Sequence, residues 1–305
     1  MSAIAAARGY DTATWTPMTR EQREQFDADG YLVLKGVLSP DEVRHYAAVL
    51  ETAHQQHPRA ADGSLHLLSP VTHHPDLVDL IDHPATFPLV WSILGWNVHI
   101  YHSHLDVHPP LTAPKPDWWH WHQDGGRQNR ELETDPRPRL SVKLAYWLSD
   151  VSETGRGNLT LIPGSHRTNW LPGPPTRDVP WPTPDAARQV TVDAGDVVFF
   201  DRRIWHARSD NLSDITRKCV FLGYTYRWIA IRDDVAGLAQ RPWWSGLNPV
   251  QQQLLGGVGT TGGGHGHDNG TDGDHHWGHY PQTTPLYEAL RDRGLLDPNH
   301  PPLIP

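Results

Sequence analysis

Hydrophobic and polar positions along the 305-residue chain change their period near residue 96. Before it the texture is helical. Thr19 followed by Glu21 and Glu24, with Gly30 as a stop, marks a helix over 18–30. A short strand-like run, YLVLKGVL at 31–38, follows. Ser39-Pro40-Asp41-Glu42 then opens a second helix, with Pro at its first position and acids in its first turn. Val43, Tyr46, Ala47 and Leu50 fall at i, i+3, i+4 and i+7, which predicts one buried face. A further helix is expected over 84–94, stopped by Gly95.

After residue 96 the pattern becomes that of strands. NVHIYHSHLDVHP at 97–109 alternates, and so does RLSVKLAYWLSD at 139–150. GNLTLIPGSH at 157–166 ends in Pro-Gly. Residues 189–192 lead through the turn Asp193-Ala194-Gly195-Asp196 into VVFFDRRIWHARS, and RKCVFLGYTYRWI at 217–229 is a last long strand. Short strands at even spacing after a helical section predict a mainly β fold with flanking helices, a sandwich or jelly roll. The whole of 1–305 reads as one domain. It comprises a helical section at about 18–95, a β core at about 97–230, a Gly/His-rich segment at 256–280 and a tail at 281–305. Residues 171–188 are Pro-rich and read as a long loop, and 256–280 as low complexity; either could act as a lid.

Composition narrows the function. Asp and Glu outnumber Lys and Arg 35 to 26, a net charge of −9, which argues against nucleic acid or an anionic membrane as the partner. No apolar run reaches the ~20 residues of a membrane helix. The start of the chain carries no long apolar core, so a secretory signal is not expected and a cytoplasmic protein is the default. The single cysteine, Cys219, excludes an internal disulfide framework and a Cys-rich metal site, and reads as a buried small hydrophobe. There are 21 His and 14 Trp against 5 Phe, which directs attention to metal chemistry and flat-walled pockets.

The central signal is His122-Gln123-Asp124 with the distant His206. In extended chain, residues i and i+2 share a face, so His122 and Asp124 can meet one ion. A third imidazole from a remote strand gives two His and one carboxylate with open positions opposite, the ligand set of non-haem Fe(II) oxygenases. A hairpin at 209–214 returns the chain so that Arg217 lies beside His206. A guanidinium there can grip a carboxylate through two parallel N–H bonds, as the far carboxylate of 2-oxoglutarate requires. Rival readings remain open at this point. His120 and His122 also form a same-face pair that, with His206, suits zinc in a cupin-like hydrolase. A non-catalytic jelly roll that keeps a metal-like triad is a second alternative. His99, His102 and His104 share one strand and do not read as ligands, and His166 reads as a hydrogen-bonding turn residue.

Four stretches together resemble the phytanoyl-CoA dioxygenase family of Fe(II)/2-oxoglutarate-dependent oxygenases: FDADGYLVLKGVLSPDEV, WHWHQD, GRGNLTLIPGSH and GDVVFFDRRIWHARSDNLSDITR. The resemblance covers roughly residues 26–229. The resemblance implies a double-stranded β-helix with iron on His122, Asp124 and His206, and 2-oxoglutarate on that iron and on Arg217. It also makes His102, Asp106 and Tyr146 candidate cosubstrate contacts. Relatives often carry Ser or Thr two residues after the distal His; here that position is Arg208, and Ser209 is the candidate substitute. The expected reaction consumes O2 and 2-oxoglutarate, yields succinate and CO2, and oxidises a C–H bond of a small biosynthetic intermediate. Related halogenases have Gly or Ala in place of the carboxylate ligand, so Asp124 favours hydroxylation. Desaturation or cyclisation remains an alternative outcome.

Overall fold

The computed structural model describes residues 14–114, 121–126, 128–171, 184–257 and 284–299. In chain order its main elements are α1 (Arg20–Asp29), β1 (Tyr31–Leu34), α2 (Pro40–Gln56), β2 (Leu65–Leu68), α3 (Pro70–His73), α4 (Phe87–Leu94) and β3 (Val98–His108). There follow α5 (Gln128–Glu131), β4 (Ser141–Trp147), β5 (Leu159–Leu161), β6 (Arg188–Gln189), β7 (Val197–Asp201), β8 (His206–Arg208), β9 (Arg217–Tyr226), α6 (Pro249–Leu254) and α7 (Pro285–Asp292). The helix signals read from sequence correspond to formed caps. Thr19 and Ser39 each close a capping box, with Gln22 and Glu42. β2, α6 and α7 lie outside the elements expected from sequence.

The chain forms two compact units. One comprises Met18–Leu68 and His104–Leu222, and so includes the later part of β3 and the earlier part of β9. It carries two antiparallel sheets, a six-stranded one ordered β1-β7-β4-β9-β3-β2 and a three-stranded one ordered β6-β5-β8. Ala145 and Trp147 of β4, Val198 and Phe200 of β7, Leu159 and Leu161 of β5, and Cys219 and Phe221 of β9 form one buried cluster. Burial raises the Cys219 thiol well above its usual range, so it packs as a hydrophobe. The other face of β7 meets α1, where Phe199 stacks on Phe26 at 4.8 Å. His166 lies 3.2 Å from the Asp27 carbonyl through Nε2, so its hydrogen bond ties the turn to α1 rather than closing the hairpin itself.

The other unit comprises Met1–Pro17, Ser69–Ser103 and Gly223–Pro305. Phe87 of α4 packs between Trp15, 5.5 Å away, and Tyr224, 5.9 Å away. The fully buried Gln253 of α6 is its polar clasp. Its Nε2 donates to the carbonyls of Trp96 and Val98, and its Oε1 accepts the Leu286 amide of α7. Among the described residues no helix is long and apolar enough to cross a membrane. Most of 256–280 and the centre of 171–188, the two segments read as lids, lie outside the described residues.

Candidate metal centre and cosubstrate pocket

His122 sits on a single β-bridge rather than in a full strand. Its N–H donates to the His206 carbonyl at 3.0 Å, and the His206 N–H donates back at 2.9 Å. That reciprocal pair places the two imidazoles side by side, with ring centroids 4.3 Å apart. Two residues on, the Asp124 amide donates to the Arg202 carbonyl at 2.9 Å, which returns the carboxylate to the same face. Gln123 between them points away and is pinned by the carbonyls of Thr168 and Arg203 and by Arg137. Asp124 Oδ1 lies 3.9 Å from His122 Nε2, and its Oδ2 lies 3.9 Å from His206 Nε2. One ligand atom from each of the three falls within 4.8 Å of the others.

The donor set fits a ferrous ion. His206 Nδ1 lies 2.9 Å from the Ile204 carbonyl, so that nitrogen carries the proton and Nε2 presents its lone pair to the site. Burial and the neighbouring His122 push His206 down to about 3, so it stays neutral. Burial alone would raise the Asp124 carboxyl, but the Lys143 ammonium beside it holds it far below the usual range, ionised and ready to ligate.

Lys143 is absent from the residues that sequence reading selected. Its ammonium lies 2.8 Å from Asp124 Oδ2, with only 4% of the side chain exposed. Register explains it: Lys143 faces Phe200 across the β4–β7 ladder, on the core side. The signal was present in the sequence, because a single cation in the otherwise apolar strand SVKLAYW must be paired if buried.

Arg217, at the start of β9, is 2% exposed. Its guanidinium lies over Trp147 at 4.9 Å and Phe221 at 5.8 Å, and its Nη1 is 3.2 Å from Asp106 Oδ2. Its buried Nε has no acceptor among the described residues, leaving a donor for an incoming carboxylate. Asp106 also takes a 2.7 Å hydrogen bond from His66 Nδ1, and His108 Nε2 lies 3.6 Å from its other oxygen. Burial would raise Asp106; these partners and the charges of His104 and Arg217 hold it well below the carboxylate range.

Other selected residues lie elsewhere. Tyr146 is fully buried, but it pairs with Val197, on the face of β4 and β7 that carries Phe199 toward α1. The aromatic beside Arg217 is its neighbour Trp147, because adjacent residues on a strand point oppositely. The same alternation sets Ser209 against Arg208. Arg208 shares the face of His206, its Nη1 2.5 Å from His108 Nε2. Ser209 continues the ladder through its amide to Asn158, and so falls on the Ala207 side, its Oγ buried without a partner among the described residues. His102 belongs to the other unit, where its Nδ1 lies 3.8 Å from Asp233. His120, Trp118 and Trp119 lie outside the described residues.

Two predictions arise from this geometry. Gly157 has φ +75°, and a Cβ there would lie 2.7 Å from Arg217 Cδ. Gly157→Ala is therefore expected to cost ~1–2 kcal/mol of stability for the left-handed backbone and to raise the 2-oxoglutarate requirement by displacing Arg217. Urea unfolding and cosubstrate saturation curves measure the two effects. The second concerns acid. Burial pushes His99 and His108 down to about 4 and His206 to about 3. The unfolded chain takes up these protons near pH 6.5, whereas the folded chain does not. Stability of the metal-free chain is thus full above about pH 6.5 and falls toward pH 4, by ~1–2 kcal/mol per histidine at pH 5. A urea midpoint that stays constant from pH 7 to 5 would contradict this.

Residues 26–219 match the profile of the phytanoyl-CoA dioxygenase family (PhyH). The chain is 25% identical over 280 residues to an ectoine dioxygenase of Nocardia farcinica, covering 77% of this chain and 87% of that protein. HygX from Streptomyces hygroscopicus, solved with nickel and 2-oxoglutarate, superposes with a TM-score of 0.56 at 19% identity, covering 71% of this chain and 90% of that one. The carbocyclase SnoK from nogalamycin biosynthesis gives 0.53 at 21%, covering 74% and 93%. The protein is an enzyme of the Fe(II)/2-oxoglutarate-dependent oxygenase class, with a double-stranded β-helix core. The chain belongs to the phytanoyl-CoA dioxygenase family.

Proposed function

We propose that His122, Asp124 and His206 hold Fe(II), that Arg217 binds the far carboxylate of 2-oxoglutarate, and that the enzyme hydroxylates a C–H bond of a small biosynthetic intermediate in the cytoplasm. The observation that carries this is the convergence of two imidazoles and an ionised carboxylate on one face, in the unit that also holds a buried, aromatic-stacked arginine. Bound Fe(II) and 2-oxoglutarate would supply O2 activation, giving the hydroxylated product, succinate and CO2. The chain's part is positioning. The His122–His206 bridge would fix the angle between two ligands, and Lys143, paired with Asp124 Oδ2, would hold the carboxylate in place beside them. Trp147 and Phe221 hold the Arg217 guanidinium flat and dry, where a charge-assisted pair is strong.

The substrate class rests on relatives. Curated relatives include ectoine dioxygenases, HygX has been solved with hygromycin B, and the epimerase SnoN with nogalamycin RO. Small metabolites are therefore the favoured substrates. Anaerobic addition of Fe(II) and 2-oxoglutarate to the metal-free protein is expected to produce a weak visible charge-transfer band that needs both components. No band at saturating concentrations would favour the zinc or non-catalytic readings.

A further inference from the structure

The iron triad has a counterpart in the same unit. His104-Leu105-Asp106 on β3 repeats the His-x-Asp spacing of His122-Gln123-Asp124. On a regular strand its His and Asp share a face. β2 runs antiparallel beside it, with His66 directly opposite Asp106 and Leu68 opposite His104. Cross-strand partners project from the same side, so His66 joins the other two. One ligand atom of each lies within 4.8 Å of the others, the same bound that the iron triad meets. His66 Nδ1 is 2.7 Å from Asp106 Oδ1, and the His66 and His104 rings are 4.7 Å apart.

The parallel extends to the surroundings. In each cluster a histidine from an antiparallel neighbour completes a His-x-Asp pair, and a buried cation engages the second carboxylate oxygen. That cation is Lys143 at 2.8 Å in one cluster and Arg217 at 3.2 Å in the other. Two of the three donors in the second cluster are held by their surroundings. His104 stacks on Phe221 at 4.5 Å and 18°, and Asp106 is buried against Arg217. His66 has 54% of its side chain exposed, which gives an ion a route in. A plain His66–Asp106 hydrogen bond accounts for two of these residues; it does not account for the third imidazole converging on them.

We propose that His66, His104 and Asp106 form a second divalent-metal site, distinct from the iron triad and suited to Zn(II), Co(II) or Ni(II). Two imidazoles and one carboxylate, with water completing the shell, suit these ions. Binding replaces the hydrogen bond between His66 and Asp106: the ring proton moves by exchange with solvent from His66 Nδ1 to Nε2, and the ion takes its place at Nδ1. Ligand bonds of about 2.0–2.2 Å require His66 to swing back by a few tenths of an ångström, which an exposed side chain allows. The ion would clasp the edge strand β2 to β3.

Equilibrium dialysis of the full chain against Co(II) tests the site. The His-rich run at 256–280 can hold ions of its own, so the His66→Ala/His206→Ala double variant sets the background. Wild type is expected to retain two ions above it, and each single variant one. Wild type retaining a single ion that is lost with His206→Ala would overturn the second site and leave the iron triad standing. A single ion lost with His66→Ala would support the second site and count against the triad. A thermal readout is independent of stoichiometry. Zn(II) should raise the melting temperature of His206→Ala by several degrees and leave the double variant at its metal-free value. Equal shifts in both would overturn the proposal.

Discussion

Arg217→Ala is expected to raise the 2-oxoglutarate concentration for half-maximal turnover by about 10²–10³-fold, with Fe(II) affinity held within a few-fold. The magnitude follows from the site. Arg217 is 2% exposed, and losing a charge-assisted pair in such surroundings costs ~2–5 kcal/mol. The variant has a second effect, because it removes the 3.2 Å partner of the buried Asp106 carboxylate and so lowers stability. Arg217→Lys separates the two. It keeps a charge for Asp106 but loses the planar fork that meets a carboxylate through two bonds. We expect Lys to recover most of the stability and little of the cosubstrate affinity. Cosubstrate saturation curves with an independent Fe(II) titration provide the measurement. An unchanged 2-oxoglutarate requirement in Arg217→Ala would remove this residue from the pocket.

The residues legible from sequence were those whose placement depends on local period. Alternation at 97–109 and 139–150 marked β3 and β4, and the strand–hairpin–strand run from 197 located His206 and Arg217. Facing could not be read this way, because it depends on pairing between distant strands. Tyr146 and Trp147 are adjacent and equally apolar, and only the Tyr146–Val197 register sends the first toward α1 and the second toward Arg217. Ser209 has the chemistry of a cosubstrate contact, but one step of alternation gives the face of His206 to Arg208. His66 and Asp106 meet because β2 lies beside β3, a pairing that the four-residue LHLL did not announce. Lys143 is the instructive omission, since a lone charge in an apolar strand is itself a request for a partner.

Asp124→Gly is expected to reduce turnover at least ~10³-fold and to weaken Fe(II) binding, because it removes the only carboxylate of the triad. A related loss acts on folding. Lys143, with 4% of its side chain exposed, would keep its charge in the core without Asp124, and breaking a buried pair from one side costs ~3–5 kcal/mol. Lys143→Met added to Asp124→Gly removes that charge, so the double variant should regain stability and remain inactive. Recovery of stability without activity separates the ligand role of Asp124 from its structural one. Metal content, a urea midpoint and product formation on each variant give the three readouts. The sharpest contrary result is an Asp124→Gly enzyme with full activity. The catalytic ion would then have to sit on another carboxylate, and among the described residues the remaining His/His/Asp group is the one around Asp106. Asp106→Asn would in that case abolish turnover, whereas with iron on Asp124 it should leave the Fe(II) affinity of the first triad unchanged.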